Sequence, residues 1–309
     1  MKNKAVLLMG PTASGKTELA ISLCKRFPCD IISVDSALVY RGMNIGTAKP
    51  DEDTLRRAPH QLVDIRDPEE NYSAGDFVRD ARAAIDNSIA RGRIPLLAGG
   101  TMMYFRALTA GLADLPAADE VIRRQIDREA EQGGWPAMHA KLAAIDAVVA
   151  ARLNPNDSQR IQRALEVYRI SGKPLGEWQS EAVVGVDDIE YVKIALQVEP
   201  RKLLHERIEL RLEQMIANGF AEEMQTLRAR PGLAKDSSAM RSVGYRQFWA
   251  YLDGDYSASE ARDRTLFATR QLAKRQLTWL RSENDVFSVD ALEAGVNDTI
   301  SSHLAHYLR

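Results

Sequence analysis

The chain of 309 residues sets 41 Lys and Arg against 43 Asp and Glu, a formal net charge of −2, with 45% apolar and 27% charged residues. This composition excludes a collagen-like, mucin-like or disordered polymer, and it gives no global attraction to nucleic acid or membrane, so a polyanionic partner has to be met by a local basic patch. Cys24 and Cys29, the only cysteines, match neither zinc-ribbon nor CxxC redox spacing and read as small core thiols. The apolar run of MKNKAVLLMG is too brief for a signal peptide, and no later run approaches the roughly 20 apolar residues of a membrane span. A cytoplasmic protein without membrane contact is expected.

Taken in chain order, Val6-Leu7-Leu8-Met9 is a continuous apolar run closed by glycine, the pattern of a strand buried on both faces of a parallel sheet. A helix is predicted over 16–26, with Leu19, Ala20 and Leu23 on one face, then a strand over Ile31–Val34 that ends at Asp35. Further strands are predicted over Leu62–Ile65 and Ile94–Ala98, with an amphipathic helix over 74–91 between them. This alternation predicts an α/β fold, a P-loop-type parallel sheet flanked by helices. From about Ala117 the pattern turns helical, over 120–131, 135–145 and 159–171. A strand returns at Tyr191–Leu196, and helices follow over 201–218, 243–252 and 258–281. The predicted organisation is a catalytic core over 1–117, an all-helical insertion domain over 118–187, and a second core segment with basic C-terminal helices over 188–309.

Between the first strand and first helix, Gly10-Pro11-Thr12-Ala13-Ser14-Gly15-Lys16-Thr17 fits the GxxxxGK[ST] phosphate loop in the strand-turn-helix setting the motif requires. Backbone N–H groups there can surround phosphate oxygens, the helix N-terminus adds partial positive charge, Lys16 adds a point charge, and the Thr17 hydroxyl can ligate Mg²⁺. Of the strand-ending acids Asp35 and Asp64, Asp35 is the better placed, at the carboxyl end of the sheet where such folds bind ligands. A helix N-cap or a simple metal ligand would also account for it. Gly99-Gly100-Thr101 makes a second backbone-rich turn at the same rim. The loop by itself leaves open a kinase using ATP, an NTPase, or an enzyme whose substrate ends in pyrophosphate.

Three basic clusters stand out in this near-neutral chain: Arg262, Arg264, Arg270, Lys274, Arg275 and Arg281 on the last of these helices; Arg152, Arg160, Arg163 and Arg169 with Gln159 and Gln162 in the insertion; and Arg241 through Arg246 around Gly244 and Tyr245. Such residues suit RNA, where arginines meet phosphates and aromatic rings stack on unpaired bases. Each cluster alone also fits a solvated helix face.

Together GPTASGKT (10–17), SVDSALVYRGMNIGTAKP (33–50), YSAGDF (72–77), LLAGGTMMYFRAL (96–108), NDSQRIQRALEVYRISGKPL (156–175), RSVGYRQ (241–247) and ATRQLAKRQLTWLR (268–281) resemble the bacterial tRNA dimethylallyltransferase (tRNA isopentenyltransferase) family over nearly the whole chain. Many members carry glutamine in place of Leu38 and GGTGLY in place of GGTMMY, departures that leave Asp35, Thr101 and the turn intact. The resemblance implies transfer of a dimethylallyl group from dimethylallyl diphosphate to N6 of the adenosine 3′ of the anticodon, in tRNAs reading codons that begin with U. The phosphate loop then holds the diphosphate of the donor, with Mg²⁺ at Thr17. Catalytic roles are implied for Asp35 as general base, Thr101, Lys16 and Arg211, although RIELRLEQM also fits a surface helix arginine.

The implied tRNA contacts are Asp35, Ser36, Ala37 and Leu38; Thr101 and Arg123; Gln159, Arg160, Ile161, Gln162 and Arg163; Arg241, Ser242, Val243, Gly244, Tyr245 and Arg246; and Ala273, Lys274, Arg275, Gln276, Leu277, Thr278, Trp279 and Leu280. The insertion is expected to clamp the anticodon stem-loop, and the protein to act as a monomer. A P-loop kinase and a nucleotide-switched RNA-binding protein are the alternatives. Residues 285–309 match no motif.

Overall fold

A computed structural model describes residues 3–113, 115–181 and 189–308. Its elements in chain order are β1 (Asn3–Met9), α1 (Lys16–Cys24), β2 (Cys29–Val34), α2 (Glu52–Arg57), β3 (His60–Gln61), α3 (Ala74–Ala90), β4 (Ile94–Gly99), α4 (Met102–Ala110), α5 (Glu120–Ile145), α6 (Ala147–Ala150), α7 (Ser158–Ser171) and α8 (Leu175–Ser180). They continue with β5 (Ile189–Gln197), α9 (Arg201–Ala217), α10 (Phe220–Arg228), α11 (Tyr245–Leu252), α12 (Ala258–Arg281), β6 (Val286–Asp290) and α13 (Val296–Tyr307). Two compact units result, residues 1–109 with 187–309, and residues 110–186. The boundary expected at residue 187 lies outside the described residues.

In the first unit the strands form one sheet in the order β3-β2-β4-β1-β5-β6, with every neighbouring pair parallel. The period-two alternation of a strand sorts the apolar run of β1 onto both faces. Ala5, Leu7 and Met9 join Phe77 of α3 and Phe220, Tyr245 and Phe248 of the C-terminal helices. Val6 and Leu8 join Leu19 and Leu23 of α1 and Ile300 and Leu304 of α13. The 285–309 segment, blank in motif terms, thus supplies an edge strand and a helix that covers one face together with α1.

The strand expected over Leu62–Ile65 does not form. Leu62 (φ 62°) and Asp64 (φ 55°) are left-handed, which no strand accommodates, and β3 ends at Gln61. Asp64 accordingly is no strand-ending acid; its carboxylate takes a 2.5 Å bond from Lys49 Nζ, whose side chain is buried. The helix expected from residue 243 starts at Tyr245, since Gly244 (φ 92°) cannot open a regular helical turn.

The long connection after β2 is held by side chains rather than by secondary structure. Glu223 of α10 accepts the N–H groups of Asn44 (2.8 Å), Ile45 (2.7 Å) and Gly46 (3.1 Å), together with the Tyr245 hydroxyl at 2.6 Å. A Cβ at Gly46 would run into the Phe220 ring, so glycine is needed for this close approach.

In the second unit α5 breaks at Gly134 (φ 77°, ψ 160°), which separates the two predicted helical stretches; Pro136 sits just inside the second, where a missing N–H costs no helix bond. Ile126, Met138, Leu142, Ile161 and Leu165 form its core. Two buried carboxylates fix the helix ends. Asp146 caps α6 through Val149 N–H (3.0 Å) and reaches Gly176 N–H of α8 (2.7 Å). Glu166 of α7 takes bonds from Asp119 N–H (2.8 Å), Arg123 Nε (3.0 Å) and an Arg163 guanidinium nitrogen (2.7 Å).

Candidate active site

β1 delivers the chain into the phosphate loop, which turns on left-handed residues Ala13 (φ 63°) and Gly15 (φ 90°), the latter capping α1. Gly10 is packed so closely that a Cβ would lie 2.8 Å from Ser14 Oγ and 3.1 Å from the Leu196 carbonyl. The turn leaves the N–H groups of Ala13, Gly15 and Lys16 without an acceptor among the described residues, the arrangement that binds anions at helix N-termini. Lys16 Nζ folds back to donate to the Pro11 carbonyl (2.6 Å) and Ser14 Oγ (3.4 Å). Burial, with the Arg211 charge adding to it, lowers the Lys16 pKa from 10.5 to about 7, against the opposing pull of Asp35 and Glu18.

Asp35 lies at the end of β2. Its Oδ1 accepts Ala37 N–H (2.8 Å) and Leu38 N–H (3.2 Å), and Oδ2 has no partner among the described residues. Burial raises the carboxyl pKa above the ordinary aspartate range, although both N–H bonds and the Lys16 charge pull it down. Thr101 stands beside it, with Oγ1 accepting Ser36 N–H (3.1 Å) and its own N–H bonded to the Val34 carbonyl (3.2 Å). Gly99 is forced by this closeness, because a Cβ there would strike the Val34 carbonyl.

Gln276 of α12, one residue of the implied RNA-binding run, is buried and spans the two turns: Oε1 accepts Thr12 N–H (2.9 Å) and Nε2 donates to the Gly100 carbonyl (2.8 Å). Arg211 reaches Thr12 Oγ1 at 3.5 Å from α9, so it belongs to the loop's surroundings rather than to an outer helix face. Sequence reasoning missed Arg207, one turn earlier, whose Nε bonds the Ala13 carbonyl at 2.8 Å; the four-residue spacing to Arg211 in RIELR was the available signal.

The implied RNA-binding runs divide by exposure. Ser36, Arg241, Arg246, Lys274, Arg275 and Thr278 are exposed and Ala37, Leu38, Ser242, Val243, Leu277 and Trp279 half-buried, whereas Gly244, Tyr245, Ala273 and Leu280 are buried with Gln276. On α12, Arg262 pairs with Glu209, Glu213 and Asp263, Arg264 with Glu260, and Arg270 with Glu209. No acid lies within ion-pair distance of Lys274, Arg275 or Arg281 among the described residues, so the C-terminal half of α12 carries the uncompensated charge. Arg106 of α4, also missed, lies over the Trp279 ring at 5.7 Å. In the second unit Gln159 and Arg160 are exposed and Ile161 is buried. Arg123 and Arg163 bind Glu166, and Gln162 donates to Asp127 at 2.6 Å.

No group of three His, Cys, Asp or Glu among the described residues could cage a metal. The Thr17 hydroxyl and the Asp35 carboxylate are hard oxygen donors at a phosphate loop, which fits a divalent cation that draws its other ligands from phosphate and water. No helix among the described residues is long and apolar enough to cross a membrane.

Fold and site define the class, an α/β protein with a P-loop-type sheet that sets a half-buried carboxylate and a glycine-threonine turn beside its phosphate loop. The IPP transferase family profile matches residues 38–283, and the chain belongs to that enzyme family. The tRNA dimethylallyltransferase of Thiobacillus denitrificans is 52% identical over 304 residues, covering 98% of this chain and 97% of the relative. tRNA dimethylallyltransferase 2 of Hahella chejuensis is 52% identical over 291 residues, covering 90% and 88%. Among solved structures, the full-length tRNA isopentenylpyrophosphate transferase of Bacillus halodurans matches with a TM-score of 0.72 at 35% identity, covering 99% of this chain and 96% of that one. A eukaryotic dimethylallyltransferase acting on tRNA matches with a TM-score of 0.80 at 26% identity, covering 98% and 77%. These relatives give the kinase and the nucleotide-switch alternatives no support.

Proposed function

We propose that the protein transfers a dimethylallyl group from dimethylallyl diphosphate to N6 of the adenosine 3′ of the anticodon, in tRNAs reading codons that begin with U, and releases diphosphate. The observation that carries this reading is the half-buried Asp35 carboxylate, with one oxygen open, beside a phosphate loop that has its own half-buried lysine. A kinase needs a base for a hydroxyl; a prenyltransferase needs one for a weakly nucleophilic amine.

As the carbon–oxygen bond of the donor breaks, negative charge gathers on the diphosphate. The acceptor-free loop N–H groups of Ala13, Gly15 and Lys16, with the side chains of Lys16, Arg207 and Arg211, are preorganised for the charge that develops there, the arrangement that lowers such barriers most. The Thr17 hydroxyl would hold a divalent cation, Mg²⁺ in this reading, which would add to the neutralisation of the leaving group. The N6 lone pair is delocalised into the adenine ring. Asp35 Oδ2 accepts a hydrogen bond from that amine, orients it, and takes its proton as the carbon–nitrogen bond forms, a contribution of about 10²–10⁴-fold. The bonds from Ala37 and Leu38 hold Oδ1 and thereby aim Oδ2. Thr101 accepts from Ser36, so its own hydroxyl proton is available to the base or to a diphosphate oxygen.

The target adenosine must leave its stack, at a cost of a few kcal/mol. The exposed cations Arg241, Arg246, Lys274 and Arg275 and the helical unit are assigned to the anticodon stem-loop that supplies this energy. The protein acts as a cytoplasmic monomer in this reading.

Asp35→Asn provides the test. Prenyl transfer is expected to fall by about 10²–10⁴-fold, while equilibrium binding of tRNA and of dimethylallyl diphosphate stays within a few-fold of the parent. Equal loss of binding and chemistry would remove the base role. Metal-dependent ATP binding with phosphoryl transfer, and no binding of dimethylallyl diphosphate, would remove the transferase reading.

A further inference from the structure

Cys24 and Cys29, the only two cysteines, stand together where α1 hands the chain to β2. Cys24 is the last residue of α1 and half-buried, and Cys29 is the first of β2 and buried. The Cys29 thiol donates a hydrogen bond to the Cys24 sulfur. We propose that the two form a reversible redox site, in which Cys24 is oxidised by hydrogen peroxide and Cys29 then closes a disulfide with it. The site is separate from the transfer chemistry. The six residues of β2 carry the chain from Cys29 to Asp35 over roughly 20 Å, and α1 sets Cys24 about 12 Å from Lys16.

Three observations separate this pair from two core thiols. The chain between them is tightly folded: Phe27 N–H bonds the Leu23 carbonyl at 2.9 Å and Cys29 N–H the Phe27 carbonyl at 2.7 Å, which turns the helix end back against the strand. Cys29 is held in register with Ile94 of β4, whose N–H bonds the Pro28 carbonyl at 2.8 Å. Sulfurs already in contact need only close to the bond length of about 2.05 Å. Exposure is unequal, so a dissolved oxidant reaches Cys24 before Cys29. A cation is also fixed beside them, since Arg93 donates from Nη2 to the Cys29 carbonyl (2.5 Å) and from Nε to Asp30 Oδ1 (2.6 Å). The bond from Cys29, with the Arg93 charge adding to it, draws the Cys24 thiol below its ordinary pKa, against burial and Asp30. Donating to Cys24, and burial, push the Cys29 thiol up, so it stays protonated until Cys24 has reacted. An accessible nucleophilic thiol over a buried protonated one is the division that an attacking and a resolving cysteine require.

The Cys24 thiolate attacks one oxygen of hydrogen peroxide. The sulfur–oxygen bond forms, the oxygen–oxygen bond breaks, and the leaving hydroxide takes a proton to become water. The Cys29 thiol then loses its proton and attacks the Cys24 sulfur of the sulfenic acid; the sulfur–sulfur bond forms, and the hydroxyl leaves with that proton as a second water. Two electrons pass from the pair of sulfurs to the peroxide, and an external dithiol returns them by thiol–disulfide exchange. Without Cys29, Cys24 climbs to sulfinic acid, which a dithiol does not reverse, and sets an anion against the buried cluster that holds Leu23. The disulfide therefore keeps the oxidation of Cys24 reversible.

The test treats the full chain with hydrogen peroxide, blocks the remaining thiols with a maleimide in denaturant, and weighs the intact protein. The parent is expected to lose the mass of two hydrogen atoms, to take up no maleimide, and to recover both reactive thiols after dithiothreitol. A proteolytic digest should show Cys24 joined to Cys29 within one chain. Cys29→Ala should halt at the sulfenic acid, one added oxygen that dimedone traps, and then pass to sulfinic acid that dithiothreitol leaves in place. Cys24→Ser, altered only at a half-buried helix end, should keep Cys29 reduced under the same exposure, and it reads the site even if Cys29→Ala does not fold. A parent that keeps both thiols while free cysteine is oxidised, or that reaches sulfinic acid or a disulfide-linked dimer without the internal bridge, would overturn the site. So would oxidation of Cys29 in Cys24→Ser as fast as the parent loses its thiols.

Discussion

Lys16 combines two needs that oppose each other. It must sit in the loop to meet a diphosphate, and desolvation there together with the Arg211 charge lowers its pKa to about 7. A bound diphosphate favours the charged form, so donor binding takes up a proton whenever the free amine is neutral. Affinity for dimethylallyl diphosphate is therefore expected to be flat below pH 7 and to fall above it, by at most about tenfold per pH unit for a single linked proton. Lys16→Arg, whose guanidinium does not titrate in this range, should flatten the profile. The same shift acts on stability. Between about pH 7 and 10 the unfolded chain holds more protons than the folded one, so the free protein gains stability across that window as pH rises. Isothermal titration in buffers of different ionisation enthalpy would read the proton uptake directly, and none at pH 8 would contradict the assignment.

At the level of elements, α12 does more than present charge. Through Gln276 it ties the phosphate loop to the Gly99-Gly100-Thr101 turn, the two pieces that flank Asp35. Gln276→Leu leaves the Thr12 N–H and the Gly100 carbonyl unpaired, at about 1–3 kcal/mol for each such group that stays buried. A lower denaturation midpoint and weaker donor binding, with stem-loop affinity preserved, are expected; loss of stem-loop affinity alone would assign Gln276 to the RNA instead. This dual use was hidden in the sequence. A tie between residues 12 and 276, or between Glu223 and residues 44–46, joins positions far apart in the chain and leaves no periodic trace. Strands covered on both faces, by contrast, read directly as apolar runs, which is why β1, β2, β4 and β5 were legible. β3 was not: Leu62-Val63-Asp64-Ile65 has strand composition, and only the left-handed backbone of Leu62 and Asp64 excludes it. The positions of Asp35 after β2, of Thr101 after β4 and of the phosphate loop after β1 were legible because each is local to a short motif at a strand end.

Across the whole molecule a net charge of −2 coexists with a polyanionic substrate because the cations are unevenly compensated. Glutamates neutralise Arg262, Arg264 and Arg270, while Lys274 and Arg275 stay exposed without an acid partner among the described residues. Stem-loop affinity should thus fall steeply with salt, and Lys274→Ala should reduce the log–log slope by about 1, whereas Arg264→Ala should leave it nearly unchanged. Equal slopes for the parent and Lys274→Ala would place α12 outside the interface.

The most direct measurement incubates the protein with an anticodon stem-loop RNA, Mg²⁺ and dimethylallyl diphosphate, then digests the RNA and weighs its nucleosides. A five-carbon addition on the adenosine 3′ of the anticodon, lost in Asp35→Asn, is the result expected. Unmodified RNA from a folded parent protein that binds both substrates, or phosphoryl transfer in place of prenyl transfer, would contradict it.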